Sequence, residues 1–188
     1  MEKKTDLRIE RTYLFLHNAF TQLLEKKRFE EFTVNELCDH AMIRRTTFYK
    51  HFADKYEYFG FYLKEVCTGF QPQVPAEVGS VNDYFLQMCR ELLRFIGKRE
   101  KLIRNVCNST LFPVLLDSLS ELIMKYMMAM LQKMEQPIPM TRSQMEVIAA
   151  FYSGGLLNTL RLILKRGGPI EEEAFLGTIS GFLNQRVC

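Results

Sequence analysis

The sequence predicts an all-α protein of about nine helices. Apolar side chains recur at the three- and four-residue spacing of a helix through almost the whole chain. No segment shows the alternation of polar and apolar residues that is typical of a half-buried strand. With 188 residues, 47% of them hydrophobic, the chain can bury a core of one domain, or of a small domain and a larger one.

Four helices are predicted before the first break in composition. Thr33 is a good N-cap, and Glu36 three residues later completes a capping box. Asp54 is a second capping residue. The predicted helices lie at roughly Asp6–Lys27, Val34–His40, Arg44–Lys50 and Lys55–Gly69.

Residues 71–80 contain two prolines and a glycine, so no helix crosses them unbroken. We therefore place a linker there and divide the chain into domains at residues 1–66 and 67–188. Gly167-Gly168-Pro169 ends one later helix and begins the last, and Pro137 and Pro139 separate two others. The predicted helices of this part are Val81–Lys98, Glu100–Cys107, Pro113–Met134, Ser143–Arg166 and Ile170–Val187.

The composition narrows the class of protein without deciding it. A net charge of +3 is too small to argue for or against nucleic acid. The five cysteines are odd in number and lack CxxC spacing, which is typical of reduced core thiols in a cytoplasmic protein. The three histidines form no cluster at metal-ligand spacing, so we expect neither metal nor cofactor. We expect no membrane span, because no uninterrupted run of ~18 apolar residues occurs. We also expect no signal peptide, because the N-terminus has no apolar core before a small-residue cleavage site.

The segment Phe32–Phe59 has the pattern of a helix-turn-helix followed by the start of a third helix. Such a pair places its second helix in the major groove of DNA and is held there by phosphate contacts. A short charged helix can also be only a solvated face, but here the local charge is positive and an aromatic residue is interleaved. The candidate DNA-contact residues are Thr33, Arg44, Arg45, Thr46, Thr47, Tyr49, Lys50, His51 and Lys55.

Residues 7–66 resemble the N-terminal DNA-binding domain of the tetracycline-repressor (TetR) family of bacterial regulators. The matching residues are Phe32-Thr33-Val34, Glu36-Leu37-Cys38, Ala41, Ile43, Thr47-Phe48-Tyr49, Phe52 and Lys55. The resemblance implies a core position for Phe48 and Phe52. It implies phosphate contacts for Thr33, Thr47, Tyr49, His51 and Lys55, and places Arg45, Thr46 and Lys50 nearest the bases.

Two residues depart from the family pattern. Met42 stands where the family usually has glycine, at a turn position that commonly has positive φ. Arg44 stands where a capping residue such as serine is usual, so the recognition helix is predicted to lack a side-chain cap.

The helices after the linker are rich in leucine, aromatic residues and methionine, which taken singly are ordinary core residues. The family resemblance implies that this part also holds a small-molecule effector, and methionine suits an apolar one. The candidate pocket residues are Met88, Leu92, Phe95, Asn105, Leu119, Met127 and Tyr152.

Two apolar stripes in the last two helices predict a two-fold homodimer built as a four-helix bundle, as in the resembled family. An intramolecular core is the other interpretation. The candidate interface residues are Leu157, Leu160, Leu164, Phe175, Ile179, Phe182 and Leu183.

The leading hypothesis is a dimeric transcriptional regulator, a repressor that binds a palindromic operator and is released by a small apolar effector. The alternative is a protein of the same fold that acts as a co-activator through a protein partner, without an operator of its own. An enzyme is not expected, because the sequence contains no nucleophile elbow, phosphate-binding glycine loop or metal cluster.

Overall fold

A computed structural model describes residues 7–72, 79–134, 140–166 and 171–184. These residues form nine α-helices and a short 3-10 turn at Phe29–Glu31, and none of them lies in a strand. The predicted all-α fold is therefore confirmed. The helices are α1 (Leu7–Lys26), α2 (Val34–His40), α3 (Arg45–Tyr49), α4 (Lys55–Thr68), α5 (Val81–Gly97), α6 (Glu100–Cys107), α7 (Phe112–Lys133), α8 (Arg142–Arg166) and α9 (Glu172–Leu183).

Helices α1 to α8 begin and end within one residue of their predicted limits. Helix α9 is shorter than predicted, and residues 167–170 and 185–188 lie outside the described part of the chain. Pro137, Pro139 and most of the predicted linker also lie outside it. The 3-10 turn was not predicted; the Glu31 carboxylate accepts hydrogen bonds there from Arg28 N (2.8 Å) and Arg28 Nε (2.9 Å).

The described residues pack as two compact units. The first consists of the chain up to Val66 together with Glu100–Leu115. The second consists of Cys67–Arg99 and the described residues from Leu116 onward. Helix α6 therefore packs with the N-terminal helices, although it follows α5 in the chain. The assignment of DNA binding to residues 1–66 and of sensing and dimerisation to residues 67–188 stays a proposal.

Aromatic side chains form the core of the first unit. The rings of Phe20 and Tyr58, both fully buried, meet edge to face with centroids 4.9 Å apart. The Phe52 ring lies 4.9 Å from that of Tyr58 and 5.6 Å from that of Phe48. Edge-to-face pairs contribute ~0.5–1.5 kcal/mol beyond the burial of their surface. The cluster therefore fastens α3 to α1 and α4.

The capping box predicted for α2 forms only in part. Thr33 Oγ1 accepts a hydrogen bond from Glu36 N at 3.2 Å, as predicted for an N-cap. The Glu36 carboxylate is engaged with Lys27 Nζ, 2.6 Å away, instead of returning to the N-cap amide. A lysine at the end of α1 thus competes successfully for the carboxylate. Asp54 caps α4 as predicted, accepting from Tyr56 N and Glu57 N.

Tyr58→Phe is expected to raise the free energy of unfolding by about 1 kcal/mol, because a buried polar group without a hydrogen bond is destabilising. Within the described residues the Tyr58 hydroxyl has no hydrogen-bond partner, and burial raises its pKa. Urea denaturation measures the change. Tyr62→Phe is the matched control, because its hydroxyl lies 2.9 Å from Thr21 Oγ1 and its removal is expected to destabilise. Equal losses in both variants would contradict the prediction.

In the second unit, α5 and α9 pack together and are joined by ion pairs. Arg90 Nη1 lies 3.0 Å from Glu172 Oε1 and 2.7 Å from Glu173 Oε1, and Arg94 Nη2 lies 3.2 Å from Glu172 Oε1. Hydrogen bonding to Glu173 raises the pKa of the Arg90 guanidinium. The carboxylates of Glu172 and Glu173 lie at the N-terminus of α9, where the helix dipole is positive. Arg90 and Arg94 of α5 also neutralise their charge.

Helix α8 is the one helix of the described chain that is long and apolar enough to cross a membrane by length and composition. The sequence had predicted no such helix, because it contains no uninterrupted apolar run. Helices of soluble proteins pass the same test, so it is weak support for a membrane span. Only 22% of its most apolar window is buried within the chain, which leaves much of its apolar surface without an intramolecular partner.

Candidate nucleic-acid interface

The turn between α2 and α3 is a Schellman motif. Met42 N donates to Asp39 O at 3.1 Å, and Ile43 N donates to Cys38 O at 3.0 Å. These two bonds satisfy carbonyls at the end of α2. Met42 has φ 53°, which confirms the positive φ predicted for that position.

Helix α3 begins without a side-chain cap, as predicted. Arg44 is its N-cap residue, with extended backbone angles (φ −75°, ψ 143°), but makes no side-chain capping bond. Its carbonyl accepts from Thr47 N at 2.9 Å and from Phe48 N at 3.3 Å. A five-residue helix of this kind is held mainly by packing, because so short a helix is not stable by itself.

The inner side of α3 supplies that packing. Phe48 is fully buried and Phe52 is 6% exposed, so their predicted core positions are confirmed. The Phe52 ring also contacts Tyr13 of α1 and Phe61 of α4, with centroids 5.9 Å and 5.3 Å apart. Helix α3 therefore rests on a buried aromatic base.

The outer side of α3 presents the residues predicted to contact DNA. Tyr49 is 55% exposed, and none of the cationic side chains on this side makes a salt bridge or a side-chain hydrogen bond to a described residue. Thr47 is half-buried. We call the exposed set the recognition surface; it consists of Arg44, Arg45, Thr46, Tyr49 and Lys50.

Two predicted phosphate contacts have intramolecular neighbours. His51 is half-buried, and its Nδ1 lies 3.3 Å from the hydroxyl of Tyr13. The two rings meet edge to face with centroids 5.4 Å apart, which sets the orientation of the imidazole. Thr33 is exposed, but its hydroxyl already accepts the capping bond from Glu36 N.

Lys55 has a structural role that the sequence did not indicate. Its Nζ donates to Phe29 O at 2.8 Å and to Phe32 O at 2.7 Å. It also lies 4.3 Å from the centroid of the Phe29 ring, within cation–π range. Burial lowers the pKa of this ammonium group, and the nearby Glu30 carboxylate opposes that effect. Two of its three N–H donors thus stabilise the first unit, and phosphate contact stays a prediction for the third.

Asn105, one of the candidate pocket residues, packs with the first unit. It lies on α6 in the first unit, where its Nδ2 donates to Leu24 O at 2.7 Å. Close by, Thr110 N and Oγ1 donate to Glu30 Oε1 at 2.6 Å and 2.7 Å. Burial acts to raise the pKa of the Glu30 carboxyl, but these bonds outweigh it and the net pKa is lowered. Polar contacts therefore hold the α6–α7 turn to the end of α1 and the 3-10 turn.

Four of the other candidate pocket residues are packed core, and two are half-buried. Met88, Leu92, Leu119 and Met127 are at most 6% exposed. Tyr152 donates its hydroxyl hydrogen to Asn82, and its ring lies 4.7 Å from that of Phe85. Phe95 is half-buried against Phe70 and the guanidinium of Arg99.

Two cavities in the described part of the chain include no predicted pocket residue. The larger is a groove of about 600 Å³ between α7 and α8, lined by Met124, Met128, Gln132, Arg142, Ser143, Glu146, Val147 and Ala150. The smaller, about 290 Å³, lies between α5 and α9 and is lined by Asp83, Leu86, Gln87, Arg90, Glu173, Leu176, Gly177 and Ser180. The four-residue spacing of Met124 and Met128 was the available sequence signal for the first.

The predicted dimer residues divide between core and surface. Leu160 and Phe175 are 1% and 8% exposed and pack inside the chain. Phe182 is 69% exposed. The half-buried members are Leu157, Leu164, Ile179 and Leu183.

The sequence interpretation missed an exposed apolar face on α8. Val147 is 67% exposed, Phe151 70% and Leu162 50%. Gly154 and Gly155, also exposed, lie between them at helical spacing, with open space where a Cβ would stand. The buried residues of α8 are Ala149, Ser153, Leu156 and Leu160, on the opposite side of the helix.

Comparisons with known proteins agree with this architecture. Residues 83–185 match the family model TetR_C_8, described as "Transcriptional regulator C-terminal region". An uncharacterized HTH-type transcriptional regulator YxbF of Bacillus subtilis (strain 168) is 36% identical over 68 residues, which are 36% of this chain and 18% of that protein. The alignment with that relative therefore spans less than a fifth of its length.

A solved structure of low sequence identity, an operon activator, shares the fold. The dihydroxyacetone kinase operon activator DhaS superimposes with a TM-score of 0.63 at 17% identity, over 92% of this chain and 93% of that one. A gamma-butyrolactone receptor (ArpA-like protein) matches with a TM-score of 0.42 at 17% identity, over 96% and 99% of the two chains.

Proposed function

We propose, from the premise that this chain belongs to the TetR family of transcriptional regulators, that it binds a palindromic DNA operator as a homodimer and is released by a small apolar effector. Repression is the expected direction of control, and the cytoplasm is the expected location. Double-stranded DNA, the effector and a second copy of the chain are the expected partners.

The observation that carries this proposal is the recognition surface. It combines exposed cationic and hydroxyl side chains on one side of α3 with a fully buried aromatic anchor on the other. Arginine and lysine neutralise phosphates and bind guanine edges, and the hydroxyls of threonine and tyrosine bind phosphate. A buried aromatic base allows these groups to meet DNA without further ordering.

Roles within the interface follow from position. The residues assigned to base edges are Arg45, Thr46 and Lys50, on the first turn and at the end of α3. The residues assigned to phosphates are Thr33, Thr47, Tyr49 and His51, with Lys55 contributing its remaining donor. Arg44, exposed at the N-cap, is placed to reach either group.

The exposed face of α8, with Phe182 of α9, supports the dimer. Contiguous exposed apolar surface of this kind marks interaction sites. A two-fold interface built from α8 and α9 presents two recognition helices to two half-sites of a palindrome. The proposed interface comprises Phe151, Gly154, Gly155, Leu162 and Phe182, together with the half-buried Leu157, Leu164, Ile179 and Leu183.

Effector release requires a state that the effector binds more tightly and in which the recognition helices do not match the operator. Helix α4 contributes residues to both units, because the first unit ends at Val66 and α4 ends at Thr68. We therefore propose that α4 transmits the conformational change from the effector site to the DNA-binding helices. The groove between α7 and α8 is the proposed effector site, because it has a volume of about 600 Å³ and Met124 and Met128 contribute to the apolar half of its lining.

Selection of genomic fragments by the purified protein, followed by gel shifts at several salt concentrations, tests DNA binding. Arg45→Ala is expected to weaken binding to the selected fragment by about tenfold to a hundredfold and to relax its sequence preference. Tyr49→Phe is expected to weaken binding to all duplexes by the same factor, because it removes a phosphate contact. Lys101→Ala, on the exposed side of α6, is the control and is expected to bind as wild type. Failure of the wild type to bind any fragment at low salt would exclude this function.

The second candidate function is a co-activator that engages a protein partner. The specific observation is the exposed Met42 beside an uncapped recognition helix, since an apolar side chain suits a protein surface. A pull-down that yields one stoichiometric protein and no DNA would favour this alternative over operator binding.

A further inference from the structure

Met42 occupies a backbone position that glycine fills best. It is the one non-glycine residue with positive φ among the described residues, at φ 53°. Its position is the C′ residue of the Schellman motif that ends α2, where glycine avoids the clash between Cβ and the backbone. Methionine at this position therefore destabilises the folded state relative to glycine.

Packing of the Met42 side chain within the chain does not compensate for this destabilisation. The Met42 side chain is 83% exposed, the highest exposure among the large apolar side chains that are exposed in this structure. Strained residues that the rest of the structure holds in place occur often at functional sites. The observed outlier therefore points to a use for the side chain outside the folded chain.

The neighbours of Met42 indicate what it contacts. It lies three residues before the start of α3, so its Cα is within ~10 Å of that of Arg45. Arg44 and Arg45 beside it are exposed and make no salt bridge with a described residue. Charge complementarity thus favours a polyanion such as DNA beside Met42. The apolar parts of DNA that the Met42 side chain can contact are deoxyribose rings and thymine methyl groups.

We propose that Met42 is a DNA contact, whose thioether side chain packs against deoxyribose or a thymine methyl group at the edge of the groove that α3 enters. The inference rests on the proposed DNA binding. Methionine adapts its shape to irregular apolar surfaces, which suits a contact at the rim of an interface.

Met42→Gly tests the proposal, because its effects on stability and on binding have opposite signs. The variant is expected to raise the melting temperature by about 2–4 °C through relief of the backbone strain. It is expected to weaken binding to a selected fragment about fivefold, the scale of losing one or two buried methylene groups. Met42→Leu keeps an apolar side chain and is expected to retain most of the affinity. Leu14→Ala, at a side chain 56% exposed on α1, is the control for loss of an exposed apolar group.

Replacing thymine by deoxyuridine in the bound fragment, one position at a time, removes one methyl group in each case. Binding to these fragments distinguishes a thymine methyl group from deoxyribose as the partner of Met42. If the methyl group is the partner, one replacement weakens wild-type binding and has no effect on Met42→Gly. If deoxyribose is the partner, no replacement distinguishes the two proteins while the loss in Met42→Gly remains. Either pattern supports the contact.

Full wild-type affinity in Met42→Gly, together with its higher melting temperature, would overturn the inference while DNA binding itself stands. Loss of a protein partner by Met42→Gly with unchanged DNA affinity would overturn it as well. Failure of the wild type to bind any duplex would instead overturn the proposed function, and this inference with it.

Discussion

Phe151→Glu is expected to dissociate the proposed homodimer into monomers, raising its dissociation constant by roughly 10²–10⁴-fold. Phe151 is 70% exposed on the apolar face of α8. A two-fold interface contains each substituted residue twice, so both the loss of apolar burial and the cost of burying a carboxylate are doubled. Operator affinity is expected to fall with it, because two linked recognition helices bind far more tightly than one.

Sedimentation or light scattering at several protein concentrations measures the change in assembly. Glutamate is a good helix former, so the exposed position is expected to keep α8 and the monomer fold intact, which circular dichroism checks. Leu14→Glu is the matched control, since Leu14 is 56% exposed on α1 and outside the proposed interface. A Phe151→Glu protein that remains dimeric would show that the interface lies on another face.

Lys55→Met is expected to lower the free energy of unfolding by about 2–4 kcal/mol. The substitution leaves the carbonyls of Phe29 and Phe32 without the hydrogen bonds that Lys55 Nζ donates to them. It also removes the cation from its position 4.3 Å from the centroid of the Phe29 ring. Removing the desolvation cost of a half-buried ammonium group offsets part of this loss.

Lys50→Met is the matched control for this prediction, because it makes the same substitution on an exposed lysine of the same unit. Its stability is expected to stay within about 0.5 kcal/mol of wild type, while its DNA affinity falls. Urea denaturation and gel shifts on both variants separate the two effects. A Lys55→Met protein of wild-type stability with lost DNA binding would instead make phosphate contact the main role of Lys55.

Predictions from the sequence succeeded where the cause is local. Helical periodicity and the N-caps Thr33 and Asp54 depend only on residues a few positions apart, and α1 to α8 begin and end close to their predicted limits. The positive φ of Met42 was implied by the family resemblance, which places glycine at this turn position, and it is confirmed. The core positions of Phe48 and Phe52 were implied by the family resemblance and are confirmed by their burial.

Predictions failed where the partner is distant in the chain. Asn105 meets Leu24, and Lys55 meets the carbonyls of Phe29 and Phe32. No spacing rule connects positions that lie 81, 26 and 23 residues apart. The Glu36 carboxylate likewise binds Lys27 because the end of α1 is close in space.

By itself the sequence determined the helices, their ends and the chemistry of the recognition surface, because these depend on local spacing and on side-chain type. The tertiary structure alone decided which face of each helix is buried. Helix α8 is apolar on both sides, so periodicity did not separate buried Leu160 from exposed Phe151. Which side is covered depends on the helices that pack against it, and those contacts arise only when the whole chain folds.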